Sequence, residues 1–99
     1  MTFQLLVNEA AQKEWNDAAV WYEGKQAGLG ERFIKSVQIK LELISRYPER
    51  YPKRKKNFRE TPVGLFPYNI VYSFYKKEGI ITVSSIFHTS RNPADKYKK

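Results

Sequence analysis

The sequence contains no cysteine and a single histidine among its 99 residues. Without cysteine the chain has no disulfide bond, thiolate metal site or cysteine nucleophile, which is the usage expected in a reducing cytosol. One histidine excludes a metal site built from several imidazoles, and we expect neither a metal nor another cofactor. The first residues, Met-Thr-Phe-Gln-Leu-Leu-Val, lack basic side chains, and their apolar run is too short for a signal peptide or a membrane span. We therefore expect a cytoplasmic protein that does not bind membranes.

The size and the apolar content indicate one folded domain over residues 1–99. A chain of 11.7 kDa should bury roughly 65% of its unfolded surface, which is enough for a thin core. Hydrophobic residues make up 41% and aromatic residues 15% of the sequence, which argues against disorder despite the many charges.

The positive charge is concentrated in two segments. Residues 50–59 contain six basic side chains and no acidic one, namely Arg50, Lys53, Arg54, Lys55, Lys56 and Arg59. A basic tail, residues 91–99, carries Arg91, Lys96, Lys98 and Lys99 against Asp95. The whole chain has a formal charge of +8, so the remainder is close to neutral. A charge distribution of this kind favours an anionic partner, although a solvated loop is the alternative.

Apolar spacing predicts a strand followed by two helices. Phe3, Leu5 and Val7 alternate as in a strand, and Asn8 is a good N-cap for the helix that follows. The inner face of the first helix is predicted to hold Ala11, Trp15, Ala18, Ala19 and Tyr22. That of the second is predicted to hold Leu29, Phe33, Val37, Leu41 and Ile44. Gly24, Gly28 and Gly30 are expected to break the first helix within a short loop. Because the loop is short, the two helices should form an antiparallel hairpin.

The second half of the chain predicts a β-meander. A strand is expected over residues 58–63, and another over residues 66–74, where aromatic and apolar side chains alternate without a gap. Lys77-Glu78-Gly79 predicts a hairpin turn that leads into a central strand over residues 80–89. The even-numbered side chains of the 66–74 strand should face the core, and the odd-numbered face with Tyr75 should be exposed.

This order, β-α-α-β-β-β, predicts an α+β fold: a small antiparallel sheet with the N-terminal helical hairpin packed on one face. The first strand fits at an edge or beside the last strand, and the other sheet face is expected to stay partly open. Glu14, Asp17 and Glu23 on the first helix do not form a close catalytic pair by spacing, and we interpret them as solvent-facing.

Several short motifs occur together in an order that resembles a known family. They are Trp21-Tyr22-Glu23, Gly28-Leu29-Gly30-Glu31-Arg32-Phe33, Tyr47-Pro48, Tyr51-Pro52, Phe66-Pro67-Tyr68-Asn69-Ile70-Val71-Tyr72 and Ile86-Phe87-His88-Thr89-Ser90-Arg91-Asn92-Pro93. Together they resemble the RelE/ParE superfamily of toxins from type II toxin–antitoxin systems, and specifically its ParE-like, plasmid-stabilisation branch. The resemblance extends from about residue 4 to residue 96, and it implies the same sheet with a helical hairpin.

The resemblance also implies a function and a partner. A ParE-like toxin arrests growth by binding DNA gyrase without being an enzyme, and a cognate acidic antitoxin neutralises it in a hetero-oligomer; a homodimer is also consistent with the family. A RelE-like toxin is instead a metal-independent endoribonuclease that cuts mRNA on the ribosome. A third alternative is a non-toxic homologue that only binds the antitoxin and regulates the shared promoter.

Two sets of candidate site residues follow from these alternatives. For a ribonuclease, the catalytic candidates are Arg59, His88 and Arg91, which could supply cations and a proton donor. For binding of the target or another anion, the candidates are Arg50, Lys53, Arg54, Lys55, Lys56, Arg59, Arg91 and Lys96. His88 and Arg91 could equally serve the structure of the turn after the last strand.

Overall fold

The computed structural model describes residues 2–90, and in this part of the chain a five-stranded sheet carries two helices. The elements are β1 (Gln4–Val7), α1 (Glu9–Lys25), α2 (Leu29–Arg46), β2 (Lys53–Lys55), β3 (Phe58–Val63), β4 (Phe66–Tyr75) and β5 (Ile80–His88). The strand order is β1-β5-β4-β3-β2. β1 runs parallel to β5, and every other pair is antiparallel.

The predicted α+β class is confirmed, and β1 lies both at an edge and beside the last strand. The structure adds the short strand β2 within the basic segment, where the sequence pattern predicts no strand. Its three residues carry only charged side chains, so no apolar alternation marks them. In the described part of the chain, no helix is long and apolar enough to cross a membrane.

The helical hairpin forms as its apolar spacing predicts. The Asn8 side chain accepts a hydrogen bond from the Ala11 amide at 2.8 Å and so caps α1. The predicted inner-face residues of both helices lie in one core cluster, except Trp15 and Leu29, which pack against it. Trp15 packs only at the margin of that cluster, and its indole Nε1 is buried without a hydrogen-bond partner.

Glu23 and Gly30 join the two helices closely. The Glu23 carboxylate accepts hydrogen bonds from the Gly28 amide at 2.8 Å and the Gly30 amide at 3.0 Å, so it caps α2. Glu23 is exposed, as expected, and the structure adds this capping role. Neither Gly24 nor Gly30 breaks a helix as expected, because Gly24 lies inside α1 and Gly30 inside α2. A Cβ atom on Gly30 would come within 2.4 Å of the Ala19 carbonyl oxygen. The missing side chain allows the helix backbones to touch.

The sheet is buried on both faces near its centre. Tyr72, Ile70 and Val83 lie in the core cluster with the helices. On the opposite face Val71 is 0% and Ser73 is 3% exposed, so the expectation of an exposed odd-numbered face is wrong there. Phe58 pairs with Ser73 on one neighbouring strand, and Phe87 pairs with Asn69 on the other. Each phenylalanine is therefore a diagonal neighbour of Val71 and lies within contact distance of it. Tyr75, at the strand end, is 44% exposed as expected.

Two side chains of the sheet fix the connector between α2 and β2, residues 47–52. The Arg59 guanidinium donates hydrogen bonds to the carbonyls of Tyr51 at 2.6 Å and Glu49 at 3.3 Å. The buried Tyr72 hydroxyl donates to the Pro48 carbonyl at 2.7 Å. Burial raises the pKa of the Tyr72 phenol to about 12, against an opposing effect of the nearby Arg59 charge and with a smaller contribution from Tyr51.

Replacement of Gly30 by alanine should destabilise the protein, because the new methyl group meets backbone rather than a movable side chain. We expect Gly30→Ala to lower the free energy of unfolding by about 1–3 kcal/mol in urea denaturation. Gly24→Ala is the matched control: no atom lies within 4 Å of its Cβ position, so it should gain up to about 1 kcal/mol from helix propensity. Equal effects at the two glycines would contradict the close packing.

Removal of the Tyr72 hydroxyl should have an effect that depends on pH. At neutral pH, Tyr72→Phe leaves the Pro48 carbonyl unpaired and should lower the free energy of unfolding by about 1–2 kcal/mol. Between pH 10 and 12 the unfolded phenol ionises while the folded one keeps its proton. The wild type should therefore lose roughly 1.4 kcal/mol per pH unit that the variant does not lose.

Urea titrations across this pH range measure the difference. Tyr75→Phe, at an exposed position of the same strand, controls for the loss of any phenol. If the stability difference between the wild type and Tyr72→Phe stayed constant up to pH 12, folding would not raise the pKa of the Tyr72 phenol, and the prediction would be wrong.

Candidate functional site

The basic segment lies at the β2 edge of the sheet and in the connector before it. Arg50 belongs to the connector, Lys53, Arg54 and Lys55 form β2, and Lys56 lies in the tight turn to β3. All five side chains are exposed. Lys56 has a φ of 51°, a left-handed conformation that is uncommon outside glycine and asparagine. The structure therefore presents these predicted anion-binding residues on one edge.

Arg59 differs from its neighbours because it is partly buried and bound to the connector. Arg59 pairs with Tyr72 and Lys53 in the sheet register, so its side chain lies on the helix-facing side. Its hydrogen bonds to the two connector carbonyls occupy one nitrogen of the guanidinium. In this position Arg59 stabilises the backbone that carries Arg50 and Lys53.

Two further cations join this edge that the sequence did not indicate. The Lys40 ammonium, from α2, lies 5.4 Å from the centre of the Tyr51 ring, and the Arg50 guanidinium lies 6.0 Å from it. The Lys76 ammonium, after β4, is 3.5 Å from the Glu49 carboxylate in the same connector. We call Lys40, Arg50, Tyr51, Lys53 and Lys76 the Tyr51 corner. Lys40 and Lys76 are separated from the basic segment in sequence, so only the fold brings them there.

His88 lies at a different place, in a cleft between α1 and β5. The cleft, of about 550 Å³, is lined by Ala10, Lys13, Glu14, Asp17, Ala18, Trp21, Tyr68, Ile86 and His88. It forms because β1 pairs with β5 only as far as Val83, whereas β5 continues to His88. The Glu14 carboxylate accepts hydrogen bonds from the Ile86 amide at 3.1 Å and the Ser85 hydroxyl at 2.9 Å. Glu14 thus binds the β5 edge, contrary to the solvent-facing prediction.

The His88 ring is held by its neighbours at the end of β5. Its Nδ1 accepts a hydrogen bond from the Ser90 amide at 3.1 Å and lies 2.7 Å from the Ser90 hydroxyl. Because Nδ1 is an acceptor, the proton of a neutral ring is on Nε2. The ring packs edge-on against Tyr68, with centroids 5.0 Å apart.

The structure does not bring Arg59 and His88 together. Arg59 pairs with Tyr72 on one side of β4, and His88 pairs with Tyr68 on the other side. Ordinary strand dimensions then put their Cα atoms roughly 16 Å apart. Arg91 and Lys96, the other predicted site residues, lie outside the described residues. Among the described residues no cluster of three His, Asp or Glu side chains has the arrangement of a metal site.

Comparison with solved structures shows a shared fold. The isolated E. coli RelE toxin aligns with a TM-score of 0.66 at 20% identity, covering 94% of this chain and 90% of that chain. The toxin–antitoxin complex RelBE from E. coli gives 0.68 at 20% identity, with 90% and 99% covered. The chromosomal ParDE system from P. aeruginosa gives 0.63 at 15% identity, with 90% and 98% covered.

Sequence comparison identifies the family. No curated protein matches the sequence. The family model described as the ParE toxin of the type II toxin–antitoxin system parDE matches residues 5–93, which is most of the chain and includes every helix and all but the first residue of the described sheet. The resemblance inferred from the motifs is thereby confirmed, and the chain belongs to the ParE toxin family within the RelE/ParE superfamily of type II toxin–antitoxin systems.

Proposed function

We propose that this toxin arrests growth in the cytoplasm by binding a macromolecular target, DNA gyrase in the first place, and that a cognate acidic antitoxin neutralises it. The observation that carries the proposal is the position of Arg59. This arginine holds the connector backbone and lies roughly 16 Å from His88 by strand spacing. The arrangement supports a toxin that acts by binding rather than by catalysis.

Cleavage of RNA without a metal makes a stricter geometric demand. The 2′-hydroxyl attacks the adjacent phosphate, so a proton acceptor, a proton donor and a charge-stabilising cation must all reach one phosphodiester. In this structure the Arg59 guanidinium is bound to the carbonyls of Glu49 and Tyr51, so Arg59 and His88 are not arranged around one phosphodiester. The exposed basic side chains of the connector and β2 instead provide an electrostatic field, which guides an anionic partner without fixed geometry.

A ribosome-dependent ribonuclease is the second candidate, and the observation that favours it is the cleft. His88 lines a cavity large enough for a nucleotide-sized group, and its ring orientation is fixed by Ser90. In this alternative His88 would transfer a proton and Arg91 would stabilise the phosphate.

A controlled burst of expression in bacterial cells without the antitoxin tests the proposed function. Labelled precursors follow DNA and protein synthesis over the first minutes after induction. A gyrase poison should reduce incorporation into DNA first. An earlier fall in protein synthesis would contradict this proposal and favour the ribonuclease. Unchanged growth would contradict both toxic functions and favour the non-toxic homologue.

The His88→Ala variant separates the two candidates within the same assay. If toxicity arises from binding at the basic edge, this variant should arrest growth at the same induction level as the wild type, since His88 lies far from that edge. A ribonuclease that uses His88 for proton transfer should instead lose about 10²–10⁴-fold in rate. An unchanged unfolding midpoint in urea is needed to attribute a loss of toxicity to chemistry.

A further inference from the structure

Cations from four separate elements converge at the Tyr51 corner. Lys40 comes from α2, Arg50 from the connector, Lys53 from β2 and Lys76 from the turn after β4. Lys40 and Arg50 both lie over the Tyr51 ring, and such cation–π contacts hold their charges near one point. Lys53 lies directly opposite Arg59 in the register, on the same face of the sheet.

The local chemistry favours carboxylates as the ligand. Lys40 and Arg50 already lie over the Tyr51 ring, whereas surfaces for single-stranded nucleic acid combine a basic groove with free aromatic faces. One carboxylate is already accommodated, because Glu49 pairs with Lys76 at 3.5 Å. This pair is more than half exposed, so an incoming carboxylate could replace Glu49 at little cost.

The corner is also fixed before any ligand binds. Arg59 and Tyr72 together hold the carbonyls of Pro48, Glu49 and Tyr51. A connector held at three carbonyls loses little backbone freedom on binding, and such preorganisation favours affinity. Arg59 and Tyr72 act through the backbone, so they are positioning residues and not contacts.

We propose that the Tyr51 corner binds an extended acidic segment of the antitoxin, with Lys40, Arg50, Lys53 and Lys76 as the contacting cations and Arg59 and Tyr72 as positioning residues. This proposal rests on the proposed function, since it assigns the acidic segment to the antitoxin. Lys40 is the most informative member, because it belongs to a helix outside the basic segment.

The experiment measures binding of a fluorescently labelled hexaglutamate peptide to the intact toxin by anisotropy, over a range of salt concentrations. Removal of one surface charge by Lys40→Gln should weaken binding roughly twofold to fivefold and reduce the dependence of log Kd on log salt. Lys35→Gln is the matched control: it lies on the same helix with the same loss of charge, but it pairs with Glu31 outside the corner. It should leave both quantities nearly unchanged.

A second variant distinguishes position from contact. Tyr72→Phe keeps every charge, so it should weaken peptide binding while leaving the salt dependence as in the wild type. Equal effects of Lys40→Gln and Lys35→Gln would overturn the proposal, because the peptide would then respond only to net charge. Tighter binding of a six-nucleotide oligothymidylate at the same residues would also overturn it in favour of nucleic acid. Growth arrest in cells that lack the antitoxin is independent of these results, so failure here is distinguishable from failure of the proposed function.

Discussion

The connector between α2 and β2 depends on one arginine. Arg59 projects from the sheet and donates to the carbonyls of Tyr51 and Glu49, and the adjacent Tyr72 holds Pro48. Hydrogen bonds from a charged donor are stronger than those between neutral groups. These contacts set the path of the chain from the helical layer to the sheet edge, and therefore where Arg50 and Lys53 emerge. The position of the basic surface is thus determined by two side chains of the sheet, Arg59 and Tyr72.

Much of this architecture could be predicted from local sequence patterns. The helix faces, the Asn8 cap and the alternating β4 strand each follow from spacing within a short window, where periodicity is informative. The strand β2 could not be predicted in this way, because Lys53, Arg54 and Lys55 have no apolar side to alternate. The burial of Val71 could not be predicted either, because it depends on residues of the two strands beside β4 and not on the sequence of β4 itself.

The candidate site was less predictable than the fold for a related reason. Composition identified the basic segment, but it could not show that Arg59 turns towards backbone carbonyls while Lys53 beside it stays exposed. Lys40 joins the corner only through the return of α2 across the sheet. Glu14 and Glu23 carry ordinary acidic side chains on a helix surface, and their hydrogen bonds to Ile86 and to Gly28 and Gly30 become visible only once the elements are packed.

The parallel pairing of β1 with β5 has a consequence for how the chain reaches this structure during synthesis. Residues 4–7 are synthesised long before their partners, residues 80–83. The edge of the sheet cannot close until nearly the whole described chain has been made, and pairings so distant in sequence form slowly. The helical hairpin, by contrast, contains only neighbouring segments and can form early. During synthesis the hairpin can therefore form while the β1 edge of the sheet is still open, whereas the basic β2 edge at the other end of the sheet needs only the neighbouring strands β3 and β4.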